Sequence, residues 1–198
     1  MPAFLFAEFD FSLEGIGREN VPVQESFYAL RDAFEKVLLS HGCRWLKPQG
    51  RRLLGVVEEA QALPALAALL RDLGSQRPGR FPVPFKVAAH VGPAFQSQEG
   101  YVGPEKDRAL CLLDAAEAGY PLLSGQAAAL PLPIGTRRLP VGTHLLRDLV
   151  PAEELFLLCP EGDSAVGVPI PKTMGSYRHN LPPQPTPFLG RAELLRDL

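Results

Sequence analysis

The placement of proline limits this chain more than any of its other properties. There are 21 prolines among 198 residues, roughly twice the ~5% of average usage. Proline fixes φ and has no backbone N–H, so helix interiors and central strands exclude it. Over residues 1–159 the prolines are scattered and leave room for regular elements. From Pro160 to Pro187 they crowd together with glycine and polar residues. That stretch predicts a stiff, extended linker with little regular structure. After it, Phe188-Leu189-Gly190-Arg191-Ala192-Glu193-Leu194-Leu195-Arg196-Asp197-Leu198 reads as the opening of an amphipathic helix. Three parts are therefore expected: a body at 1–159, a linker at 160–187 and the first residues of something further at 188–198. The chain reads as a piece of a longer protein.

The body is long enough to bury a core without staples. Hydrophobic residues make up 46% of the chain, charged residues 21%, and the net charge is −2. Collagen, coiled coil and wholesale disorder are excluded. No apolar run reaches the ~18 residues of a membrane span. Met1-Pro2-Ala3-Phe4 lacks the basic start of a secretory signal, so a cytoplasmic protein with no membrane partner is expected. Cys43, Cys111 and Cys159 are odd in number and scattered, which fits reduced thiols and neither a disulfide frame nor a zinc site. A charge near zero gives no footprint for nucleic acid, and direct nucleic-acid contact is not expected.

Hydrophobic spacing orders the elements. Residues 3–9, Ala-Phe-Leu-Phe-Ala-Glu-Phe, form a short apolar and aromatic run, a strand. From Val23, the positions Phe27, Leu30, Ala33, Phe34, Val37 and Leu38 recur at helical spacing, and His41-Gly42 closes that helix. Cys43–Lys47 and Leu53–Val57 flank Pro48-Gln49-Gly50-Arg51-Arg52, a hairpin. An Ala- and Leu-rich helix runs from about Ala60 to Leu73 before Gly74, followed by a strand at Phe85–Val91. After a polar loop, a helix starts at Pro104, a good N1 residue, and runs to about Glu117. A short strand at Leu122–Ser124, a helical turn at Gln126–Leu130, a hairpin of Arg137–Pro140 with Gly142–Leu146, and a strand at Leu155–Cys159 complete the body. The order β-α-β-β-α-β-α-β predicts an α+β domain with helices on one face of the sheet.

Particular residues then narrow the class. Phe4-Leu5-Phe6-Ala7-Glu8-Phe9-Asp10 resembles the opening strand of class III adenylate/guanylate cyclase domains, which ends in a metal-binding aspartate. Leu46-Lys47-Pro48-Gln49-Gly50-Arg51 resembles that family's hairpin, in which a lysine is followed after two residues by Gly-Asp. His90-Val91-Gly92 resembles its His-x-Gly strand end, and Gly100 to Cys111 its next stretch, which carries an asparagine and, four residues on, an arginine. The resemblance covers residues 3–159 in the family's order. It implies a ferredoxin-like βαββαβ sheet and a homodimer with a shared site. His179-Asn180-Leu181-Pro182 and Phe188-Leu189-Gly190-Arg191 further resemble the entry to an ATPase domain in large bacterial regulators of the LuxR type. That resemblance implies a downstream ATPase partner domain.

The resemblance also implies which residues would carry the chemistry, and here the pattern breaks. The first metal carboxylate corresponds to Glu8, the second to Arg51. A guanidinium is always protonated and cannot ligate a metal. The arginine that stabilises the transferring phosphate corresponds to Cys111, and the ribose-orienting asparagine to Asp107. The purine-selecting lysine is kept as Lys47, whereas its partner corresponds to Gly100. Losing one preorganised electrostatic group costs ~10²–10³ in rate. A degenerate domain without cyclase activity, metal or cofactor is therefore expected, serving regulation and dimerisation, with an unknown small ligand or nucleotide as a possible partner. The alternative is a divergent cyclase using Glu8 and Asp10. If the family geometry holds, Glu8 and Arg51 face each other and form an ion pair in place of the metal. His90 reads as a residue packed at a strand end, Arg147 as solvated surface, and Lys47 as a solvated lysine or a retained nucleotide contact.

Overall fold

A computed structural model describes residues 1–9, 21–74, 85–98, 100–147, 149–162 and 171–173. Asp10, most of the predicted linker and all of residues 188–198 lie outside the described residues. The elements in chain order are β1 (Pro2–Phe9), α1 (Val21–Ser40), β2 (Trp45–Gln49), β3 (Arg52–Glu58), α2 (Glu59–Gly74), β4 (Phe85–Val91), β5 (Phe95–Ser97), β6 (Gly100–Val102), α3 (Pro104–Ala115), β7 (Leu122–Ser124), α4 (Gly125–Ala128), β8 (Thr136–Leu146) and β9 (Leu149–Pro160).

Seven strands form one sheet in the order β2-β3-β1-β4-β7-β9-β8, and β5 pairs with β6 separately. The first four strands with α1 and α2 make the expected βαββαβ unit. All sheet pairs are antiparallel except β4 with β7. The fold is thus α+β, as the element order predicts.

β1 is central because it is apolar on both sides: every residue from Ala3 to Phe9 is buried. Strand alternation sends Ala3, Leu5, Ala7 and Phe9 to one core, where Leu30, Phe34 and Leu38 of α1 and Leu63, Leu66 and Leu69 of α2 pack on them. Phe4 and Phe6 face the other side and meet Ala109, Leu112 and Leu113 of α3. The expectation of helices on one face holds for α1, α2 and α4. α3 takes the opposite face, because a strand apolar on both sides needs cover on both.

Local chemistry explains the joints. α1 ends in a Schellman pair: Cys43 N–H donates to Leu38 O at 3.0 Å and Gly42 N–H to Leu39 O at 3.2 Å. The β2–β3 hairpin is tighter than the sequence suggests, with Gln49 opposite Arg52 and only Gly50 and Arg51 between them. Gly50 takes φ +59°, and positive φ at the first loop position alone marks a type II′ turn. Pro48 and Pro140 lie within β2 and β8, the two edges of the sheet, where a missing N–H breaks no inner ladder.

Two expectations are corrected. Arg137–Pro140 and Gly142–Leu146 do not form a hairpin with each other. They are one strand, β8, whose partner along its whole length is β9, with a register shift between Pro140 and Gly142. The Pro-Val-Gly sequence makes a bulge, at which an extra residue bends the strand without reversing it. The polar loop before α3 contains the β5–β6 hairpin, too short to show alternation.

Candidate functional site

Glu8 lies on the same side of β1 as Phe4 and Phe6, facing α3, and opposite Arg52 in the register. It is almost fully buried. A carboxylate there needs partners, and the β2–β3 turn delivers two. Arg51 Nη2 donates to Glu8 Oε1 at 3.5 Å, and Arg52 Nη2 to Glu8 Oε2 at 3.4 Å. Arg52 also donates from Nη2 to Asp114 Oδ1 on α3 at 2.5 Å. Asp114 Oδ2 in turn holds Arg147 Nη2 at 2.8 Å.

The result is an alternating chain, Arg51–Glu8–Arg52–Asp114–Arg147. It links the first hairpin, the first strand, α3 and the β8–β9 turn. Burial works against the charge of Arg52, but Glu8 and Asp114, by attraction and hydrogen bonding, outweigh it and hold its pKa above the ordinary value. The expected Glu8–Arg51 ion pair is present. Arg52 and Asp114, the latter not assigned by sequence reasoning, make closer contacts than Arg51 does. Asp114 stands three residues after Cys111, on the same helix face, and that spacing was the available signal. Arg147 is exposed, as expected of solvated surface, and it also closes the chain at its far end.

The other candidate positions spread outward from this chain. Cys111 is half-buried on α3, and burial raises its thiol pKa despite the opposing influence of Arg147. It is therefore a neutral thiol beside the cluster. Asp107 is exposed in the first turn of α3. Lys47 is exposed on edge strand β2, opposite Leu54. Gly100 lies under Trp45: a Cβ there would fall 2.4 Å from the indole, and its φ of +124° suits glycine alone. The indole is further boxed by Tyr101, ring centroids 6.3 Å apart, and by the Lys106 ammonium 5.5 Å above it. Trp45 thus fills the space between the Lys47 strand and Gly100.

A second polar constellation lies deeper. His90 is fully buried, with Nε2 2.6 Å from Glu105 Oε2 and Nδ1 2.8 Å from Ser124 Oγ. A carboxylate only accepts, so Nε2 carries the proton. The neutral ring then accepts at Nδ1 from the Ser124 hydroxyl. Ser124 Oγ also accepts from Ala127 N–H at 3.3 Å, capping α4. Burial pushes the His90 pKa down, while the hydrogen bond and charge of Glu105 oppose the shift. The serine–histidine–carboxylate order is that of a nucleophile triad, but Ser124 is fully buried and no substrate reaches it. His90 packs at the strand end as expected, fastening β4 to β7 and α3.

The catalytic chemistry of nucleotide cyclisation uses divalent ions held by paired carboxylates. The donor set here does not fit them. Glu8 already carries two guanidiniums, and the position beside it is Arg51. Among the described residues no group of three or more His, Cys, Asp or Glu could hold a metal ion. None of the described helices is long and apolar enough to cross a membrane.

Solved structures of similar shape identify the architecture. An adenylate/guanylate cyclase/hydrolase from Silicibacter pomeroyi matches with a TM-score of 0.66 at 14% identity, covering 81% of this chain and 96% of that one. An adenylate cyclase from Trypanosoma brucei in its monomeric state matches at 0.61 and 12%, covering 79% and 88%. A non-canonical dimeric guanylyl cyclase domain of a fusion protein from Blastocladiella emersonii matches at 0.60 and 12%, covering 80% and 93%. The described residues share the fold of class III adenylate/guanylate cyclase domains. No protein-family model matches the chain. Among curated proteins, uncharacterized proteins of Mycobacterium tuberculosis and Mycobacterium bovis are 32% identical over 128 residues, covering 63% of this chain and 44% of their own length. The chain spans less than half the length of these relatives.

Proposed function

We propose that this chain is a cyclase-fold regulatory and dimerisation module that does not cyclise nucleotides. One observation carries the reading: Arg51 and Arg52 both hold Glu8, so the protein's own cations stand where paired carboxylates would have to gather metal ions. The neighbouring substitutions agree. Cys111 is a neutral thiol in place of a cation, and Asp107 adds negative charge where a triphosphate would be repelled. Each such loss costs about 10²–10³ in rate when taken singly.

With catalysis gone, the domain retains what the fold offers a signalling protein: a surface for a second copy and a cleft for a ligand. In this reading it lies in the cytoplasm as the N-terminal part of a longer regulator, with an ATPase domain following the linker. A homodimer conveys its geometry to that domain. The deciding assay incubates the purified chain with ATP or GTP and manganese, at enzyme concentrations sufficient to detect a turnover per hour. No cyclic nucleotide is expected, and its appearance overturns the reading. Sedimentation equilibrium should show a dimer, and a monomer at high concentration removes the dimerisation half.

A divergent cyclase using Glu8 and Asp10 is the second reading. Its support is the carboxylate retained at Glu8 on the expected strand. Under it, Arg51→Asp should raise the manganese-dependent product sharply. Under the first reading that variant remains inactive.

A further inference from the structure

We infer that residues 171–173 act as a detachable C-terminal cap of α3, coupling the chain that leaves the domain to the Arg52–Asp114–Arg147 contacts. The need for such a cap is written in α3 itself. An α-helix leaves its last four carbonyls without internal partners, and its C-terminal end favours cations. Here the last turn is Leu112-Leu113-Asp114-Ala115, with no basic residue and with an aspartate instead. Ala116 turns into extended backbone, and its N–H serves Leu112 O and Leu113 O. Glu117 follows without positive φ, so no left-handed residue completes the end of the helix. The missing groups arrive from beyond β9. Lys172 N–H donates to Ala115 O at 2.8 Å, and Lys172 Nζ lies 2.8 Å from Glu117 Oε1. One residue thus supplies both the donor and the cation that the helix end lacks.

The strap is also fixed to β8, where Thr173 Oγ1 lies 2.8 Å from His144 Nδ1. Pro171 and Thr173 are buried, whereas the Lys172 side chain is exposed. Asp114 and Ala115 are neighbours in the capped turn and hold different partners. The Asp114 carboxylate holds Arg52 at 2.5 Å and Arg147 at 2.8 Å, while the Ala115 carbonyl holds the strap. Fraying of an uncapped turn moves Asp114 away from both arginines. Loss of those ion pairs in turn loosens the carbonyl that the strap grips. Each contact stabilises the other, as coupled sites must. A short surface strap opens at lower cost than the sheet core, so a pull on the chain beyond Thr173 removes the cap first.

Lys172→Pro tests the cap. Thr173 N–H donates to Pro171 O at 3.0 Å, a γ-turn centred on Lys172, whose φ is not positive. That is the inverse form, and its φ suits proline, so the variant keeps the turn and loses the N–H and the ammonium. Amide hydrogen exchange of the whole chain should become about fivefold faster in the last turn of α3 and at Arg51 and Arg52. In the reverse direction, Asp114→Asn should speed trypsin cleavage after Lys172 by about fivefold. Leu30→Ala, a core loss on α1, sets the level that general destabilisation produces, and both effects should exceed it. Failure of either direction to exceed that level overturns the inference. Cyclic nucleotide formation by the chain would overturn the proposed function and leave this coupling standing.

Discussion

His90 Nε2 lies 2.6 Å from Glu105 Oε2, and the imidazole between Glu105 and Ser124 is fully buried. Burial lowers its pKa below the ordinary 6.5. Between that lowered value and 6.5 the unfolded chain binds a proton that the folded chain does not. Stability therefore rises with pH across this window and falls as the solution is acidified below about 6.5, by up to ~1.4 kcal/mol per pH unit for one proton. Urea denaturation at half-unit steps from pH 5 to 8 should show this slope. His90→Gln should reduce it and also cost roughly 2 kcal/mol at pH 7.5, because Glu105 and Ser124 lose a buried partner. An unchanged slope in the variant would assign the titration elsewhere.

The two arginines of the first hairpin hold the same carboxylate but should not be equal. Arg52 is 30% exposed and bridges Glu8 to Asp114, whereas Arg51 touches Glu8 at 3.5 Å from an exposed turn. Removing Arg52 strips a partner from two largely buried carboxylates. Arg52→Ala should cost about 1–3 kcal/mol, as charged hydrogen bonds do. Arg51→Ala should change stability by no more than about 1 kcal/mol, the range of exposed pairs. Equal losses in thermal or chemical denaturation would contradict the division of roles.

Gly100 and Gly50 allow the same substitution to be compared at two sites. A Cβ on Gly100 meets the Trp45 indole at 2.4 Å, whereas nothing lies within 4 Å of one on Gly50. Gly50→Ala should cost only the left-handed backbone, about 1–2 kcal/mol. Gly100→Ala should cost that and the displacement of the indole, about 3 kcal/mol or more. Trp45 is the chain's single tryptophan, so its fluorescence should shift to the red in Gly100→Ala and stay fixed in Gly50→Ala.

What could be read from the sequence follows from how locally each feature is encoded. The unbroken apolar run through Phe9 announces a buried strand, and helical spacing through Phe34 and Leu38 announces α1, because both periods are visible within a few residues. The Glu8–Arg51 pair was legible from motif alignment alone. Asp114 and Arg147 were not, since their meeting depends on α3 crossing the far side of the sheet, a long-range consequence of β1 being apolar on both faces. The β8 bulge hid for a related reason: a Pro-Val-Gly sequence is locally compatible with a turn, and only the length of β9 decides against one. Trp45 escaped notice because a lone half-buried tryptophan has no pattern, while the constraint it imposes sits on Gly100.

Thr173 brings the exit of the domain into the same argument. Its Oγ1 lies 2.8 Å from His144 Nδ1, and His144 Nε2 is 2.9 Å from Val141 O. The carbonyl accepts from Nε2–H, so Nδ1 accepts from the threonine hydroxyl. Nearby, Lys172 N–H donates to Ala115 O at 2.8 Å, at the end of the helix that carries Asp114. Residues 171–173 are thus pinned to both β8 and α3. Thr173→Val keeps the shape and removes the donor, leaving the buried His144 nitrogen unpaired at a cost of about 1–2 kcal/mol. Trypsin cleavage after Lys172 should accelerate in that variant, and Thr173→Ser should restore the parental rate. Cleavage at the parental rate in Thr173→Val would mean that the hydrogen bond does not hold the segment.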